Sequence, residues 1–484
     1  MDMQKKNNRN KKRHSRKRKQ PISLKLIFSG FFALMLILSG ICLMQFVENK
    51  QLEKRVAKQT TLLLNQVKNE QEKNELATEE KVTKKANLVE VSYPPSEIPS
   101  IDGFDFDQIT QESIKKMEKK LNPKDSAVLV SHLAINHYTE QLVAYEVAVD
   151  LYLWQNKSEE FIKTKTKTTK PVLINHSTGQ LITRQDLIKK EENLLGIQQV
   201  IQQMLLDQAA DPNLILDEVL NLPRLSWDTP MTYTEEQLVV QLPQNKLGQT
   251  TIALPYAKIQ PFIQTDLVKP EYLIPPTQAL DANQKYVALT FDDGPSPVTT
   301  PKIIQILANK GIKATFFLLG QNVKENPELT KQIFEGGHEL ASHSYSHPSF
   351  NNISKEAIKK EVIDTDKAIF EATGCLPKIL WPPYGAINTD TAKVVGKPII
   401  QWNVDSLDWK TKNSAAIQKV VKKSVASGGI ILMHDIQLAT AEALDQVIND
   451  LKAQNYQFVT IEELLEQKMY PMHQYFGQFD QRNI

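Results

Sequence analysis

Side chains able to bind a metal ion or move a proton recur in the second half of the chain, each time after a short apolar run. They are Asp292, Asp293, His343, His347, Asp408 and His434. One carboxylate and two imidazoles suit Zn²⁺ and leave a coordination position for water. Because adjacent side chains diverge, one of Asp292 and Asp293 can bind the metal while the other serves as a base. This set indicates metal-assisted hydrolysis of an amide or ester.

A further imidazole, His434, follows a different apolar run and could protonate a leaving group. The sequence has no nucleophilic serine or cysteine set, no phosphate-binding loop and no dinucleotide fingerprint. Two cysteines, Cys42 and Cys375, are too few for a disulfide scaffold or a cysteine zinc cluster. The identity of the metal stays open, because a carboxylate and two imidazoles also suit Co²⁺, Ni²⁺ or Mn²⁺.

The apolar runs alternate with amphipathic segments, which predicts parallel strands joined by helices. Seven strands are expected, at residues 286–291, 314–319, 338–342, 378–381, 399–404, 429–433 and 457–460. The helices expected between and after them cover residues 299–310, 327–336, 354–373, 388–396, 413–427, 439–454 and 461–467. The reactive residues follow the carboxyl ends of five strands, where α/β barrels place their active sites. Seven strands rather than eight predict an α/β fold that is a distorted, incomplete (β/α) barrel over residues 285–467.

The N-terminal part predicts a membrane anchor. Residues 26–47 carry no charge, and at ~1.5 Å per residue they are long enough to cross a ~30 Å hydrocarbon core. Residues 1–25 contain eleven Lys or Arg and one Asp, a bias that keeps this tail in the cytoplasm and exports the rest. A cleaved signal peptide is the alternative, although no small-residue cleavage site follows the apolar run.

The remaining chain divides by composition. Residues 48–97 predict a solvated helical stalk, and residues 98–267 predict a smaller α+β domain that has no catalytic constellation. Residues 268–284 contain prolines and predict a linker, and residues 468–484 are expected to be a C-terminal tail. The total charge is only +2, so the chain after the basic tail is acidic, which argues against nucleic acid as a partner. The stalk pattern is too irregular to indicate a coiled coil, and no oligomeric state is predicted.

Five motifs together resemble a known family. They are TFDDGPS (290–296), HSYSHP (343–348), WPPYG (381–385), DSLDW (405–409) and ILMHD (431–435). Their order is that of the NodB-homology polysaccharide deacetylases, also called carbohydrate esterase family 4, and the resemblance covers about residues 285–467. The anchor, stalk and intermediate domain resemble membrane-bound peptidoglycan N-acetylglucosamine deacetylases of Gram-positive cocci. The resemblance implies removal of acetyl groups from N-acetylglucosamine in peptidoglycan, outside the cell and facing the wall, with a new ammonium that would hinder lysozyme.

The resemblance also implies roles for single residues. Asp292 would be the general base, while Asp293, His343 and His347 would hold the metal. His434 would be the general acid.

Four further residues would support these. Asp408 would tune His434, and the backbone N–H of Tyr384 would stabilise the oxyanion together with the metal. Trp409 and Leu432 would line the pocket for the acetyl methyl group.

One position departs from the family pattern. Trp381 stands where the family usually has an arginine that pairs with the base, and the only arginine after residue 268 is Arg482. Without that cation the charged form of Asp292 loses a favourable interaction, so its pKa is expected to lie higher. Catalysis would persist with a weakened rate or a shifted pH profile. The alternative is that Trp381 fills the wall of the site while another contact orients the base.

Two other functions stay open. The same chemistry could act on poly-N-acetylglucosamine, chitin oligomers or acetylated xylan, which acetate release from defined glycans would distinguish. With Trp381 in place of the arginine, the domain could instead be a catalytically silent wall-binding module. Bound metal without turnover on any glycan would indicate that function.

Overall fold

The computed structural model describes residues 24–73, 80–95, 105–275, 279–466 and 468–484, which belong to two compact units. Unit 1 contains the described parts of residues 1–98, 105–134 and 146–169. Unit 2 contains residues 135–145 and the described part of 170–484. The predicted basic tail, residues 1–25, lies outside the described residues except for its last two.

Unit 1 begins with one long helix, α1 (Leu24–Gln71), which includes the apolar run 26–47. None of its most apolar stretch is buried by other parts of the protein. An apolar stretch of this length with no protein covering it fits the predicted membrane anchor.

The structure corrects the predicted helical stalk over residues 48–97. The helix ends at Gln71, and two strands follow, β1 (Lys81–Lys85) and β2 (Leu88–Tyr93). In β2, Val91 and Tyr93 are buried and Val89 packs beside them, which is the period of two that a half-buried strand requires. The many charged residues around this short alternation concealed it.

The rest of unit 1 is one helix and three strands. They are α2 (Phe106–Glu118), β3 (Ala127–His137), β4 (Leu142–Gln155) and β5 (Glu160–Thr168), of which β3 and β4 run on into the residues of unit 2. β2 pairs antiparallel with β1 and parallel with β3, and β5 pairs antiparallel with β4. Leu63 and Val67 of α1 are buried against Val91, Val128 and Val130, so the helix beyond the apolar run is packed rather than fully solvated.

The first part of unit 2 contains short strands and helices. Its strands are β6 (Val172–Asn175), β7 (Gln180–Leu181), β8 (Met231–Tyr233), β9 (Gln237–Gln241) and β10 (Thr251–Pro255). Its helices are α3 (Arg184–Ile188), α4 (Asn193–Gln208), α5 (Pro212–Leu220) and α6 (Tyr256–Ile259). Apolar side chains of α4, α5 and β9 form its core, which Phe370 joins from farther along the chain. The predicted linker, residues 268–284, is partly packed, because Val268 is buried and Tyr272 and Leu273 lie against this core.

The second part of unit 2 alternates strands and helices as predicted. The strands are β11 (Lys285–Asp292), β12 (Thr315–Leu318), β13 (Glu339–Ser342), β14 (Ile399–Ile400), β15 (Val404–Asp405), β16 (Gly429–His434), β17 (Tyr456–Val459), β18 (His473–Gly477) and β19 (Asp480–Asn483). The helices are α7 (Thr300–Lys310), α8 (Gly320–Glu325), α9 (Pro327–Glu335), α10 (Lys355–Thr373), α11 (Thr389–Val395), α12 (Asp408–Thr411), α13 (Ser414–Ser424), α14 (Leu438–Ala453) and α15 (Ile461–Leu464). The predicted mixed α/β class is confirmed.

β11 lies at the centre of this sheet and pairs in parallel with β12, β16 and β17. The strand order is β13-β12-β11-β16-β18-β14, with β15 and β17 attached beside it. Two isolated bridges join Ser342 to Leu380 and Leu380 to Ile399. The edge strands β13 and β14 are therefore linked through Leu380.

Three predictions for this part need correction. The strand expected at 378–381 is only the bridge at Leu380, and the one expected at 399–404 is divided into β14 and β15. The predicted tail 468–484 contains β18 and β19, and β18 pairs with both β14 and β16. His473, Tyr475 and Gly477 alternate as buried positions, a short strand pattern within an otherwise polar segment.

Candidate metal and catalytic site

Neighbouring parallel strands bring the predicted residues together. Asp292 ends β11 and His434 ends β16, and the two are register partners, so their side chains lie on the same face of the sheet. His343 follows β13, and its Nε2 lies 3.9 Å from Oδ2 of Asp292. The carboxyl ends of the strands thus form one site, as the sequence predicted.

Asp293, His343 and His347 converge on one point, and a ligand atom from each lies within 4.8 Å of the others. Asp293 Oδ1 is 3.5 Å from Nε2 of both His343 and His347. Ligand atoms around a tetrahedral zinc ion lie about 3.4 Å apart, given bond lengths of about 2.1 Å. Asp293 Oδ1 is buried and has no hydrogen-bond partner among the described residues. This orphaned oxygen and its two imidazole neighbours fit a divalent cation.

His343 is oriented by the backbone of the opposite wall. Its Nδ1 lies 2.8 Å from the carbonyl oxygen of Trp381. A carbonyl oxygen only accepts, so Nδ1 carries the proton and Nε2 presents its lone pair toward Asp293. Burial lowers the pKa of His343 to about 4 and also lowers the pKa of His347. Both imidazoles are therefore neutral near pH 7, as metal ligands must be.

The loop between these two histidines is held by Glu361 of α10. Its Oε2 accepts hydrogen bonds from the N–H groups of Tyr345 and Ser346, each at 2.7 Å, and its Oε1 accepts one from the Ser346 hydroxyl at 2.8 Å. The His347 N–H donates to Ser344 Oγ at 3.0 Å. Glu361 carries no signal in the sequence, since a glutamate in a polar helix is ordinary.

Several non-glycine residues of the site have left-handed backbone conformations. They are Asp293 (φ 74°), Ser344 (φ 69°), His347 (φ 65°), Tyr384 (φ 59°) and Leu407 (φ 54°). Such residues are costly and persist where the surrounding structure over-determines them. Their concentration here is typical of a preorganised functional site.

His434 and Asp408 form a buried pair. His434 Nδ1 lies 2.8 Å from Asp408 Oδ1, while Asp408 Oδ2 accepts hydrogen bonds from the His434 N–H at 2.7 Å and the Thr440 hydroxyl at 2.6 Å. Burial by itself lowers the pKa of His434, but the hydrogen bond and charge of Asp408 outweigh it and raise the pKa to about 9. A protonated imidazole beside the base suits a general acid. Thr440, like Glu361, has no sequence signal.

Asp292 is buried with only 2% of its surface exposed. Burial raises its pKa well above the ordinary value, and the charge of Asp293 acts in the same direction. Its Oδ1 has no hydrogen-bond partner in the described part of the chain. The predicted loss of the pairing cation is therefore matched by an unpaired carboxylate oxygen.

Trp381 is also 2% exposed. Its ring lies edge-on to Phe317, with centroids 5.1 Å apart, and stacks on Trp402 at 5.2 Å. Trp381 thus fills the wall of the site, as one of the two alternatives expects. The other part of that alternative, a contact that orients the base, is not seen at Asp292 Oδ1, to which no described residue donates.

The predicted pocket residues lie around this centre. The ring of Tyr384 is exposed and lies 4.6 Å from that of His347 in an edge-on contact. Leu432 is two residues before His434 in β16, so both side chains point to the same face. Trp409 is half-exposed at the start of α12, directly after Asp408.

A second buried carboxylate lies behind the metal-ligand set. Asp435 accepts a hydrogen bond from the Thr300 hydroxyl at 2.5 Å, and burial raises its pKa to about 7. A Cβ at Gly294 would lie 2.1 Å from Asp435 Oδ2. Only glycine fits between Asp293 and this carboxylate.

Comparisons with known proteins match two regions of the chain to deacetylase families. Residues 279–398 match the polysaccharide deacetylase family, and residues 57–274 match the peptidoglycan GlcNAc deacetylase N-terminal domain. The peptidoglycan-N-acetylglucosamine deacetylase PgdA of Listeria monocytogenes is 33% identical over 419 residues, which cover 84% of this chain and 88% of that protein.

Two further similarities concern the second half of the chain. The peptidoglycan-N-acetylmuramic acid deacetylase PdaC of Bacillus subtilis is 38% identical over 195 residues, which cover 40% of this chain and 42% of that protein. A solved structure of PdaC is 40% identical, covers 39% of this chain and 94% of its own, and has a TM-score of 0.38.

Proposed function

This chain belongs to the polysaccharide deacetylase family, in the group of the peptidoglycan-N-acetylglucosamine deacetylases, and we propose that it removes N-acetyl groups from N-acetylglucosamine in peptidoglycan. The products are acetate and a free amine on the glycan. The observation that carries this proposal is the convergence of Asp293, His343 and His347 beside Asp292 and the His434–Asp408 pair. The new ammonium would change the charge of the wall and lower its cleavage by lysozyme.

Asp293, His343 and His347 would hold one divalent metal. Zinc is the first choice for this donor set, and Co²⁺, Ni²⁺ or Mn²⁺ would also suit it. When bound, such an ion polarises a carbonyl oxygen and lowers the pKa of water. Its charge would also favour the ionised form of Asp292, whose burial otherwise raises the pKa.

The protein residues would divide the proton transfers. Asp292 would take a proton from the water that attacks the acetamide carbon. The Tyr384 N–H would donate to the oxygen on which negative charge develops. When the carbon–nitrogen bond breaks, His434, held protonated by Asp408, would give its proton to the leaving amine. Trp409 and Leu432 would enclose the acetyl methyl group.

We extend the proposal to the architecture. The parallel strands of residues 285–467 would form the distorted, incomplete (β/α) barrel, which the bridges through Leu380 support. The apolar part of α1 would span the membrane once, with the basic tail in the cytoplasm and the chain after the span facing the wall. The N-terminal domain, expected at residues 98–267, would start earlier, because β2 packs within unit 1 and β1 pairs with it.

Acetate release by the detergent-solubilised full chain tests the function. Peptidoglycan glycans rich in N-acetylglucosamine are compared with N-acetylmuramic acid substrates, chitin oligomers and acetylated xylan, with chelator and after re-addition of zinc. We expect release from peptidoglycan that chelation abolishes and zinc restores. Asp293→Asn is expected to abolish release, while His176→Gln, a change of an exposed histidine, serves as the matched control.

Two results would overturn the proposal. Acetate release from chitin oligomers or acetylated xylan, but not from peptidoglycan, would show that the substrate is another glycan. Bound metal without release from any glycan would favour the silent wall-binding module.

A further inference from the structure

The wall of the site opposite the metal ligands is formed by the connection between α10 and β14. We call residues 374–396 of this connection the wall segment. It contains Trp381, whose carbonyl oxygen accepts the His343 Nδ1–H hydrogen bond, and Tyr384, whose ring contacts His347. The position of this segment therefore affects both a metal ligand and the predicted oxyanion donor.

A side chain of α4, Gln203, makes two hydrogen bonds to the N-terminal end of the wall segment. The amide of Gln203 donates from Nε2 to the carbonyl oxygen of Gly374 at 3.1 Å. The same amide accepts at Oε1 from the N–H of Leu376 at 2.8 Å. The NH2 group and the oxygen of one side-chain amide thus each bond a backbone group that follows α10.

The C-terminal end is held in the same manner. Arg224, which follows α5, donates through its two terminal nitrogens to the carbonyl oxygens of Lys393 and Val394. These are carbonyls of the last turn of α11, where a cation is also favoured by the helix dipole. Gln199 of α4 donates to the carbonyl oxygen of Gly396 at 3.1 Å.

Apolar packing reinforces these bonds at the N-terminal end. Phe370 at the end of α10 is buried in the core of α4, α5 and β9, and Ile363 and Leu376 pack against the same core. The wall segment therefore starts from a helix end that is embedded in the α4–α5 region, which we define as residues 193–224.

The middle of the wall segment is strained. Tyr384 has φ 59° and is 71% exposed, and Gly385 follows with φ 66°. A left-handed tyrosine in a solvent-exposed turn persists when its flanks are fixed. The flank before it is bonded to Ser342 through the Trp381 N–H at 3.0 Å, and the outer ends are fixed by Gln203, Arg224 and Gln199.

We propose that Gln199, Gln203 and Arg224 are positioning residues of the deacetylation reaction. By holding both ends of the wall segment, they set the place of the Trp381 carbonyl and of the Tyr384 N–H. This gives a role to the α4–α5 region, in which the sequence shows no catalytic residue. The expected effect on kcat rests on the proposed function, whereas the expected effect on the backbone of the wall segment rests on the hydrogen bonds alone.

The test uses the full chain carrying Gln203→Ala together with Arg224→Ala. The matched control is Arg184→Ala, which removes a similar arginine bonded to the carbonyls of Trp227 and Thr229, far along the chain from the wall segment. We expect the double variant to lower kcat on N-acetylglucosamine oligomers by about ten- to a hundredfold, because small displacements of positioned groups are costly. KM is expected to change much less, and hydrogen exchange at residues 381–387 to become faster. The control changes neither kcat nor this exchange.

Two single variants in which Gln203 is kept are also compared. Arg224→Lys can bond one carbonyl but not bridge two, so its kcat is expected to lie between those of Arg224→Ala and the wild type. Unchanged exchange at residues 381–387 in the double variant would overturn the proposal. So would a loss of kcat that the Arg184→Ala control shares, or one that follows only the unfolding temperature. If the wild-type chain releases no acetate, the proposed function fails while the exchange comparison still decides whether these residues hold the wall.

Discussion

At the scale of single residues, the proposed acid His434 and the proposed base Asp292 differ in their partners. His434 gains a hydrogen bond and a charge from Asp408, which raise its pKa, while Asp292 has a raised pKa because it is buried. Both pKa values are thus raised: the proposed acid keeps its proton at neutral pH, whereas the proposed base would need the charge of a bound metal to favour its ionised form.

Replacing Asp408 by asparagine is expected to shift the alkaline limb of the pH–rate curve. A general acid works only while protonated, so activity falls as pH rises through its pKa, which lies at about 9 for His434. Without the carboxylate, burial dominates and the pKa falls, so the limb moves to lower pH. The curve of kcat/KM against pH measures this.

Thr440→Val removes one hydrogen bond to Asp408 but leaves the charged carboxylate beside His434, so its alkaline limb is expected to stay near that of the wild type. An alkaline limb that stays in place in Asp408→Asn would show that His434 is not the acid.

Introducing an arginine at position 381 is expected to act on the base. A guanidinium near Asp292 favours its charged form and lowers its pKa, so the acidic limb, below which the base is protonated and inactive, moves to lower pH. Stacking on Trp402, which now contacts the indole, could accommodate the planar cation. The pH–rate curves of Trp381→Arg and of the uncharged control Trp381→Phe are compared; identical curves would leave Trp381 as wall filling only.

At the scale of elements, the loop between β13 and α10 depends on a carboxylate that it does not itself contain. Glu361 accepts three hydrogen bonds from residues 345 and 346, and this holds the two imidazoles at the spacing that a metal needs. Groups behind the ligands often matter nearly as much as the ligands.

Glu361→Gln is therefore expected to weaken metal binding. The amide oxygen can still accept from the Tyr345 and Ser346 N–H groups, but without the negative charge that strengthens these bonds, and the NH2 group replaces the oxygen that accepted from the Ser346 hydroxyl. A loss of about tenfold in zinc affinity is expected, measured by titration against a competing chelator. Glu356→Gln, in the exposed first turn of the same helix, should leave the affinity unchanged, and an equal loss there would contradict the prediction.

The C-terminal strands belong to the sheet as much as the predicted ones do. β18 pairs with β14 and β16, and Tyr475 is buried with its hydroxyl accepting from the Tyr470 N–H at 2.8 Å. Removing residues 468–484 is expected to cost roughly 3 kcal/mol or more of stability, since it opens a buried face of the core. Denaturant unfolding measures this, and removal of residues 480–484 alone should cost clearly less. Equal stabilities of the long truncation and the full chain would restore the tail interpretation.

At the scale of the whole molecule, the apolar first part of α1 is exposed along its length, and no comparable run of exposed apolar side chains occurs elsewhere among the residues described. Removing residues 1–47 is expected to release the protein from the membrane fraction while acetate release from soluble oligomers persists. Fractionation and the acetate assay measure these together. If expression of the full-length gene yields a soluble protein that is shortened at its N-terminus, the segment is instead a cleaved signal peptide.

The sequence by itself predicted the residues that the structure brings together in one site and most of the elements that present them. Asp292, His343 and His434 each follow an apolar run of strand length, and such local patterns report burial directly, because a strand buried on both faces must be apolar along its length. The same patterns failed where polar neighbours diluted them, in β2 and β18.

Only the tertiary structure decided which other residues support the site. Glu361, Thr440, Gln203 and Arg224 are common polar residues whose partners lie between 15 and 173 positions away. Nothing local distinguishes them from any solvated side chain. Their roles arise from hydrogen bonds that form only when distant segments are brought together, and the free energy of that packing belongs to the fold as a whole rather than to any window of the sequence.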